Sequence, residues 1–294
     1  MRQCKLLIVG AGPAGITAAL SAWHAGCREI ILVDKAEHPG GVLLQCFHEG
    51  FSLPPYNLDL TGPVYAEKLV ERLESTDIQL LLNSEVLQIT PNKTALLSRC
   101  DGMLCLKFER MILATGCRER SIWSLPVAGT RPAGIFTAGQ AQEIINIRRK
   151  KPGNEVLILG SGDLGMIVAR CFIMAGSHVI AVVEQQACYT GMARNYHRCI
   201  EAFQVPMIFQ TTISEIHGAK RLCGVTLRNL DSGEEKNVPC DTLITALGLI
   251  PERELVRTLG QPEWLFFAGN CNHVHSLVGS AIAEAEQIGK LTVI

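Results

Sequence analysis

Two stretches of the chain, residues 6–34 and 156–184, carry the same order of apolar, small and acidic positions. Each begins with four apolar residues, continues with a Gly-x-Gly-x-x-Gly motif and a helical pattern, and ends with a second apolar run closed by one acidic residue. Corresponding glycines stand 150 residues apart, and the acidic residue follows the third glycine by 19 positions in both copies. The pattern predicts one arrangement twice: a buried strand, a tight turn, a helix and a second strand.

The rest of the chain continues the alternation of predicted strands and helices. Helical patterns fall at residues 62–75, at 139–150 and through Lys290, and strand patterns fall between residues 78 and 110 and at 110–116, 241–248 and 264–268. Each copy of the repeat thus closes with a strand that enters a small-residue turn. The tail after Pro251 is too short to form a domain, so we expect it to complete the first one.

We call residues 10–15 with Asp34 the first cradle, and residues 160–165 with Glu184 the second cradle. In such a motif the first glycine permits a tight turn, the second lets the backbone approach a pyrophosphate, and the third lets helix and strand pack closely. The helix N-terminus offers free N–H groups to phosphates, and the acidic residue accepts ribose hydroxyls. The alternative, a glycine turn that only joins strand to helix, is much weaker for a matched pair than for one copy.

Composition and charge narrow the class of protein. The chain has 294 residues, of which 48% are hydrophobic and 19% are charged, so it is expected to fold as about two globular domains. Its formal net charge of −1 offers no basic surface and argues against nucleic acid as the main partner. The first strand pattern begins almost at position 1, which leaves no room for a signal peptide, and no apolar run is long enough to span a membrane. We therefore expect a cytoplasmic protein.

Twelve cysteines are scattered along the chain without a Cys-x-x-Cys pair. In a cytoplasmic protein they are interpreted as reduced thiols, most of them small buried apolar residues. A zinc ribbon or an iron–sulfur cluster needs tighter grouping, so no metal site is predicted.

The order of the motifs resembles that of flavoproteins with two dinucleotide-binding domains, the pyridine nucleotide-disulfide oxidoreductase superfamily. A narrower resemblance, to the FAD/NAD(P)-dependent oxidoreductases associated with glycerol-3-phosphate dehydrogenase, depends on further motifs: Gly40-Gly41 with Gln45-Cys46 and His48-x-Gly50-Phe51, Leu60-Thr61-Gly62-Pro63, Ala114-Thr115-Gly116-Cys117-Arg118-Glu119-Arg120, Gly129-Thr130-Arg131-Pro132-Ala133-Gly134, Gly160-Ser161-Gly162-Asp163, and Gly269-Asn270-x-x-His273-Val274-His275. Opine, sarcosine and hydrogen-cyanide-forming amine dehydrogenases have related subunits.

The resemblance implies an α/β fold of two Rossmann-like FAD/NAD(P)-binding domains with three-layer ββα architecture, the second inserted into the first. Residues 1–116 and 250–294 would form the FAD-binding domain, and residues 117–249 the NAD(H)-binding domain. The implied FAD contacts are Gly10, Gly12, Pro13, Ala14, Gly15, Asp34, Lys35, Gly41, Val86, Thr115, Gly116, Gly269 and Asn270. The implied NAD(H) contacts are Gly160, Gly162, Leu164, Gly165, Glu184 and Gly248.

Glu184 also predicts which nicotinamide dinucleotide is bound. A carboxylate at this position accepts the 2′-hydroxyl of NAD and repels the 2′-phosphate of NADP. The neighbouring Gln185 and Gln186 supply no arginine for that phosphate. The sequence therefore predicts NAD(H).

Two features depart from the usual pattern of the superfamily. Asn270 stands where an aspartate is usual, although its amide is still suited to hydrogen-bond the ribityl chain of FAD. The segment between Gly248 and Gly269 is shorter than usual, which predicts that surface strands of the FAD domain are trimmed.

Cys46 and His48 are candidate catalytic residues. Disulfide reductases of the superfamily carry two nearby cysteines beside the flavin, whereas this chain has Cys46 alone at the early position and none at residues 135–140. A two-thiol relay is therefore not expected. Two interpretations of Cys46 stay open: a single-thiol centre activated by His48, or a packed thiol without a redox role.

His273 and His275 are candidate catalytic residues at the start of the last helix, which in this superfamily points at the flavin. They would stabilise negative charge on reduced flavin or relay a proton, or else would only cap the helix.

The leading hypothesis is an FAD-dependent oxidoreductase that exchanges hydride between NAD(H) and FAD and passes electrons to a small acceptor or to a second flavoprotein subunit. We also expect a homo- or hetero-oligomer. The alternatives are a non-catalytic nucleotide-binding subunit of such a complex and a single-cysteine NADH oxidase or peroxidase.

Overall fold

The structure is a computed structural model that describes residues 2–52 and 59–293. The chain divides into two compact units. The first unit comprises Met1–Arg118 and Ile250–Ile294, and the second comprises Glu119–Leu249. The first boundary lies two residues beyond the predicted one, after Arg118, and the second lies at the predicted position.

Strands and helices alternate along the chain. Before the first boundary lie β1 (Arg2–Val9), α1 (Pro13–His24), β2 (Ile30–Val33), β3 (Glu49–Phe51), β4 (Leu60–Thr61), α2 (Gly62–Glu74), β5 (Gln79–Leu81), β6 (Ser84–Thr90), β7 (Thr94–Arg99) and β8 (Gly102–Leu113). Between and across the boundaries lie β9 (Cys117–Glu119), β10 (Ala128–Gly129), β11 (Ile135–Thr137), α3 (Ala138–Gln142), β12 (Glu155–Leu159), α4 (Asp163–Met174), β13 (His178–Val183), α5 (Ala193–Cys199), β14 (Met207–Ile208), β15 (Thr211–Gly218), β16 (Leu222–Asn229), β17 (Glu235–Val238), β18 (Thr242–Thr245) and β19 (Leu249–Pro251). The returning tail holds β20 (Leu265–Phe267) and α6 (Val278–Leu291).

The first unit is built on one seven-stranded sheet in the order β5-β2-β1-β8-β7-β6, with β20 also paired to β8. Strands β5, β2, β1, β8 and β20 run parallel, whereas β6, β7 and β8 pair antiparallel. Because β20 belongs to this sheet, the C-terminal tail completes the first unit, as the sequence predicts.

Strand β1 is buried on both faces, which explains its uninterrupted apolar run. Leu6 and Ile8 pack into the core under the helices, and Leu7 and Val9 pack into the core on the opposite face. Helix α6 packs against α1 so closely that a Cβ on Gly289 would overlap a backbone carbonyl of α1.

The second unit repeats this plan with a five-stranded parallel sheet in the order β11-β18-β12-β13-β14. A four-stranded sheet in the order β10-β15-β16-β17 accompanies it. Along β12, Val156 and Ile158 enter one core, whereas Leu157 and Leu159 enter the other. The repeat seen in the sequence is therefore a repeat of the fold.

The predicted helix at residues 139–150 differs from the structure in type and length. An α-helix spans Ala138–Gln142 and passes into a π-helix at Glu143–Ile147. Its start is fixed by Thr137, whose hydroxyl and backbone N–H form reciprocal hydrogen bonds with Gln140. Its π-type end places the Arg148 N–H on the carbonyl of Glu143, five residues back, a turn that a helical pattern of apolar positions does not reveal.

The longest helix in the described part of the chain, α6, has 14 residues. Among the residues that the structure describes, no helix combines the length and the apolar character that crossing a bilayer requires.

Candidate functional site

The glycines of the first cradle are imposed by close backbone contacts. Gly10 has φ +110, and a Cβ there would overlap the carbonyl oxygen of Ala114 at the end of β8. A Cβ on Gly15 would overlap the carbonyl oxygen of Gly10. Strand β1, strand β8 and helix α1 therefore meet at a point where only glycine fits.

Gly12 differs from these two glycines because its missing side chain leaves open space. The nearest atom to a Cβ there would be the Cα of Gly41, at 3.9 Å. Helix α1 begins just after it with Pro13, which fits the first position because it needs no N–H acceptor. The backbone beside Gly12 and the N–H groups of the first helical turn, including that of Ala14, suit a pyrophosphate group.

Asp34 follows the end of β2 and is half-buried. Its Oδ2 accepts a hydrogen bond from Ala11 N at 2.6 Å, and its Oδ1 accepts one from Ala36 N at 2.8 Å. A carboxylate has about four acceptor positions, so these two bonds orient Asp34 and leave capacity for hydroxyl donors. Of the two other predicted contacts, Lys35 is exposed beside Asp34, and Val86 is half-buried in β6.

A second glycine segment covers the first cradle. Gly40 donates from its N–H to the carbonyl oxygen of Ala11 at 2.8 Å. Gly41 has φ +59, and a Cβ there would lie 2.9 Å from the Cα of Gly12. The backbone at Gly41 therefore borders the same open space as Gly12.

Two turns carry the remaining predicted FAD contacts. Thr115 donates its hydroxyl to the carbonyl oxygen of Glu252 at 2.6 Å, and Gly116 has φ +75 with open space where a Cβ would stand. Gly269 has φ +69, and a Cβ there would lie 2.5 Å from the Cβ of Ala14. Gly269 thus brings the turn after β20 against the first turn of α1.

Asn270 connects this turn to its neighbours. Its Oδ1 accepts from the N–H of His275 at 3.0 Å, and its Nδ2 donates to Cys117 Sγ at 3.5 Å. Cys117 follows the turn at Gly116 and was not a predicted site residue. Its place in the motif after Ala114-Thr115-Gly116 was the available signal.

The structure brings His273 and His275 together with Glu284 of α6. The imidazole centroids lie 4.0 Å apart. His273 Nδ1 lies 3.1 Å and His275 Nε2 lies 3.3 Å from the same Glu284 oxygen, Oε2. The other oxygen, Oε1, accepts from Gly269 N at 2.9 Å. Glu284 was not predicted, because it lies in the helix, nine residues after His275.

Cys46 and His48 lie at the end of the 3₁₀ helix Gly41–Gln45. Cys46 donates from Sγ to the carbonyl oxygen of Val42 at 3.2 Å, and His48 Nδ1 lies 2.9 Å from the carbonyl oxygen of Glu49. Each side chain thus has a backbone partner, and the predicted roles of both residues stay predictions.

The second cradle repeats the backbone of the first. Gly160 has φ +107, and a Cβ there would overlap the carbonyl oxygen of Ala246. A Cβ on Gly165 would overlap the carbonyl oxygen of Gly160. Gly162 faces open space, with Thr190 Oγ1 at 3.9 Å from a Cβ position. These glycines therefore fit a second dinucleotide as those of the first cradle fit FAD.

Glu184 is buried, with 7% of the residue exposed. Its Oε2 accepts from the N–H of Ser161 at 2.9 Å and from the hydroxyl of Ser161 at 2.5 Å, and its Oε1 accepts from Gln186 N at 3.0 Å. Acceptor capacity remains on Oε1, which has this one partner among the hydrogen bonds described.

Gly191 is a residue of the second cradle that the sequence reasoning missed. Its N–H donates to the carbonyl oxygen of Ser161 at 3.1 Å, and a Cβ there would lie 2.7 Å from the nitrogen of Asp163. It stands 150 residues after Gly41, which has the same role in the first cradle. Extending the repeat beyond the acidic residue would have found it.

Leu164 and Gly248 are the remaining predicted NAD(H) contacts. Leu164 is half-buried in the first turn of α4. Gly248 has φ +96, with open space where a Cβ would stand, and its carbonyl oxygen accepts from Arg120 N at 2.9 Å.

Residues 4–264 match the family described as pyridine nucleotide-disulphide oxidoreductase. The chain belongs to this family. Members of the family are oxidoreductases that use FAD and a nicotinamide dinucleotide, so the predicted class of enzyme and its cofactors are confirmed.

The fold of the family is also that of a solved thioredoxin reductase. The crystal structure of the enzyme from T. acidophilum has a TM-score of 0.78 at 20% identity and covers 100% of this chain and 98% of that one. At this identity the likeness concerns the fold alone. It confirms the predicted α/β fold of two Rossmann-like domains.

Two relatives are named as subunits of larger enzymes. The hydrogen cyanide synthase subunit HcnB of Pseudomonas aeruginosa is 28% identical over 96% of this chain and 68% of its own length. One of the opine oxidase subunits of Agrobacterium tumefaciens is 24% identical over 87% of this chain and 54% of its own length. The chain therefore spans only about half to two thirds of these relatives.

Proposed function

We propose that the chain is an FAD-dependent NADH oxidoreductase subunit that passes electrons to a partner flavoprotein subunit or to a small acceptor, without a redox-active disulfide. When bound, FAD would supply the chemistry by exchanging a hydride with the nicotinamide and releasing electrons to the acceptor. The observation that carries this proposal is the duplicated cradle, in which glycine is sterically required at matching positions of two units.

The first unit is proposed to hold FAD. Gly12 and Gly41 border the open space that suits the pyrophosphate, and the N–H groups of the first turn of α1 face negative charge. Asp34 is proposed to accept ribose hydroxyls on the acceptor positions that its two backbone partners leave. Gly269 and Asn270 complete the site from the returning tail.

The second unit is proposed to hold NAD(H) in preference to NADP(H). Glu184 is buried and receives three hydrogen bonds that favour its charged form. A fixed negative charge at this position repels a 2′-phosphate, whereas it accepts a 2′-hydroxyl.

A partner subunit is proposed because relatives are named as subunits of opine oxidase and hydrogen cyanide synthase. The sequence supports electron transfer without a disulfide, since it has no second cysteine near Cys46 and none at residues 135–140. The physiological donor or acceptor would then be bound by the partner.

The test is the visible spectrum of the FAD-loaded protein under anaerobic conditions, before and after addition of NADH. We expect the flavin band to bleach with about one equivalent of NADH, because one dinucleotide reduces one flavin by two electrons. NADPH at the same concentration is the matched control and is expected to bleach the band far more slowly.

Two results would contradict the proposal. A protein that cannot be loaded with FAD has no flavin site of the proposed kind. A yellow protein that NADH leaves unbleached would instead be the nucleotide-binding subunit without catalytic function. Bleaching that persists in Cys46→Ser, with unchanged peroxide turnover, would exclude a single-cysteine peroxidase.

A further inference from the structure

Three side chains of the first unit converge at the start of α6. Nitrogen and oxygen atoms of His273, His275 and Glu284 all lie within 4.8 Å of one another. We propose that these three residues form a binding site for a divalent transition-metal ion, with Zn²⁺ as its representative. This site is separate from the two cradles, and the proposal does not depend on the proposed function.

His275 provides the strongest argument because its ring is oriented and buried. Its side chain is 7% exposed. Its Nδ1 lies 3.0 Å from the Ser280 hydroxyl, and that hydroxyl donates its own hydrogen to the carbonyl oxygen of Leu277 at 2.8 Å. The hydroxyl must therefore accept from Nδ1–H, which leaves the lone pair of a neutral ring on Nε2.

This Nε2 is buried and has no hydrogen-bond partner in the part of the chain that the structure describes. It lies 3.3 Å from Oε2 of Glu284, so a lone pair faces a carboxylate oxygen. Two buried acceptors at this distance repel each other, and an unpaired buried acceptor costs stability. A bound cation would satisfy both atoms.

The distances fit a tetrahedral metal ion. Zn²⁺ binds histidine nitrogen and carboxylate oxygen at about 2.0–2.1 Å, which places two ligand atoms about 3.3 Å apart. The observed separations from Glu284 Oε2 are 3.1 Å to His273 Nδ1 and 3.3 Å to His275 Nε2. Two histidines and one glutamate make a known zinc ligand set that leaves a fourth position for water.

The donor types exclude the hard cations as preferred ligands. Mg²⁺ and Ca²⁺ prefer oxygen, whereas two imidazoles favour Zn²⁺ and the other late first-row ions. Outer partners also orient the ligands, as in established metal sites. Gly269 N holds Glu284 Oε1 at 2.9 Å, and the Ser280 hydroxyl holds His275.

Two other histidine–glutamate pairs show what an ordinary surface pair looks like in this chain. His197 lies 2.7 Å from Glu201, and His178 lies 2.7 Å from Glu155, with all four side chains largely exposed. Neither pair belongs to a cluster of three potential ligands among the described residues. His197→Ala is therefore a matched control for loss of a surface histidine.

The test is Zn²⁺ binding by the purified full-length protein after removal of metals with a chelator. Isothermal titration and elemental analysis after dialysis would give affinity and stoichiometry, and we expect one Zn²⁺ per chain. His273→Ala and Glu284→Gln are each expected to weaken binding by about 100-fold or more, and Ser280→Ala by about tenfold, because outer partners alone contribute 10–100-fold. His197→Ala is expected to leave binding unchanged.

His273 is exposed, so His273→Ala should fold even if Glu284→Gln does not. In the Co²⁺-loaded protein, intense d–d absorption would indicate four-coordinate geometry and should be lost in His273→Ala. Binding equal in wild type and His273→Ala, or no binding by a folded wild type, would overturn the proposal and leave an imidazole–carboxylate ion pair. Flavin content and bleaching by NADH, measured on the same samples, would show separately whether the proposed function fails.

Discussion

The first and second cradles share a backbone but hold their acidic residues differently. Gly10 N and Gly160 N each donate to the end of a neighbouring strand at 2.8 Å, and their φ angles of +110 and +107 are nearly equal. Asp34 is half-buried and bonded only to backbone N–H groups in the hydrogen bonds described, whereas Glu184 is buried and also bonded to a hydroxyl. The glycine spacing therefore sets the backbone, and the residues between the glycines set the environment of the acid.

The cause of this difference is the residue after the first glycine. The first cradle has Ala11 there, which offers only its N–H, and the second has Ser161, which offers N–H and hydroxyl to the same oxygen of Glu184. Glutamate is one methylene longer than aspartate and reaches back to both donors. The second cradle thus fixes its negative charge more firmly than the first.

The first helical residue differs as well. Pro13 starts α1, and Asp163 starts α4. A carboxylate at a helix N-terminus competes with a phosphate for the same positive end. Asp163 Oδ1, however, accepts from Met192 N at 2.8 Å and from Asn195 Nδ2 at 2.7 Å, so its charge is bound by the covering segment.

The largest expected effect comes from filling the third glycine of each cradle. Gly15→Ala should destabilise the first unit by about 1–3 kcal/mol or more, because the new Cβ overlaps the Gly10 carbonyl oxygen. It should also abolish flavin binding. Gly165→Ala should destabilise the second unit by a similar amount and spare the flavin. Calorimetry and flavin content measure both effects.

Gly279→Ala is the control for these substitutions, since nothing lies within 4 Å of a Cβ at that position in α6. An alanine there is expected to be neutral or slightly stabilising. If Gly15→Ala behaved like Gly279→Ala, the close contact between α1 and β1 would not be the reason for glycine in the cradle.

The sequence predicted both cradles because their signal is local. The strand, the glycines and the acidic residue follow one another at fixed spacing, so periodicity and turn chemistry suffice. The burial of Glu184 against Ser161 required the packed structure, since a spacing does not reveal which way a carboxylate turns. The same holds for Glu284, which joins His273 and His275 only when α6 folds back toward the turn at Gly269.

The next effect concerns selectivity between the nicotinamide dinucleotides. Glu184→Gln should lower the preference for NADH over NADPH by roughly tenfold or more, because hydrogen bonds to a charged acceptor contribute about 1.5–3 kcal/mol. Asp34→Asn, the matched change in the first cradle, should leave this preference unchanged. The ratio of the two dissociation constants measures it, and an equal shift in both variants would contradict the assignment of the cradles.

The smallest effect is expected at alkaline pH and compares one buried thiol from each unit. Burial raises the pKa of Cys4 and of Cys240 from 9.0 to about 12. The folded protein therefore binds more protons than the unfolded chain above pH 9, and stability falls as pH rises from about 9 towards 12. Cys4→Ala and Cys240→Ala should each reduce this slope in urea unfolding, whereas Cys100→Ala, at an exposed position, should not.

The central claim is that the first cradle holds the flavin and the second the nicotinamide. Gly12→Ala and Gly162→Ala test it most directly, because both positions border open space and both variants should fold. We predict that Gly12→Ala binds FAD about 100-fold more weakly, a loss of about 2.8 kcal/mol. Gly162→Ala should keep its FAD but require about 100-fold more NADH for anaerobic bleaching. Loss of FAD from Gly162→Ala, or full FAD binding by Gly12→Ala, would contradict the account.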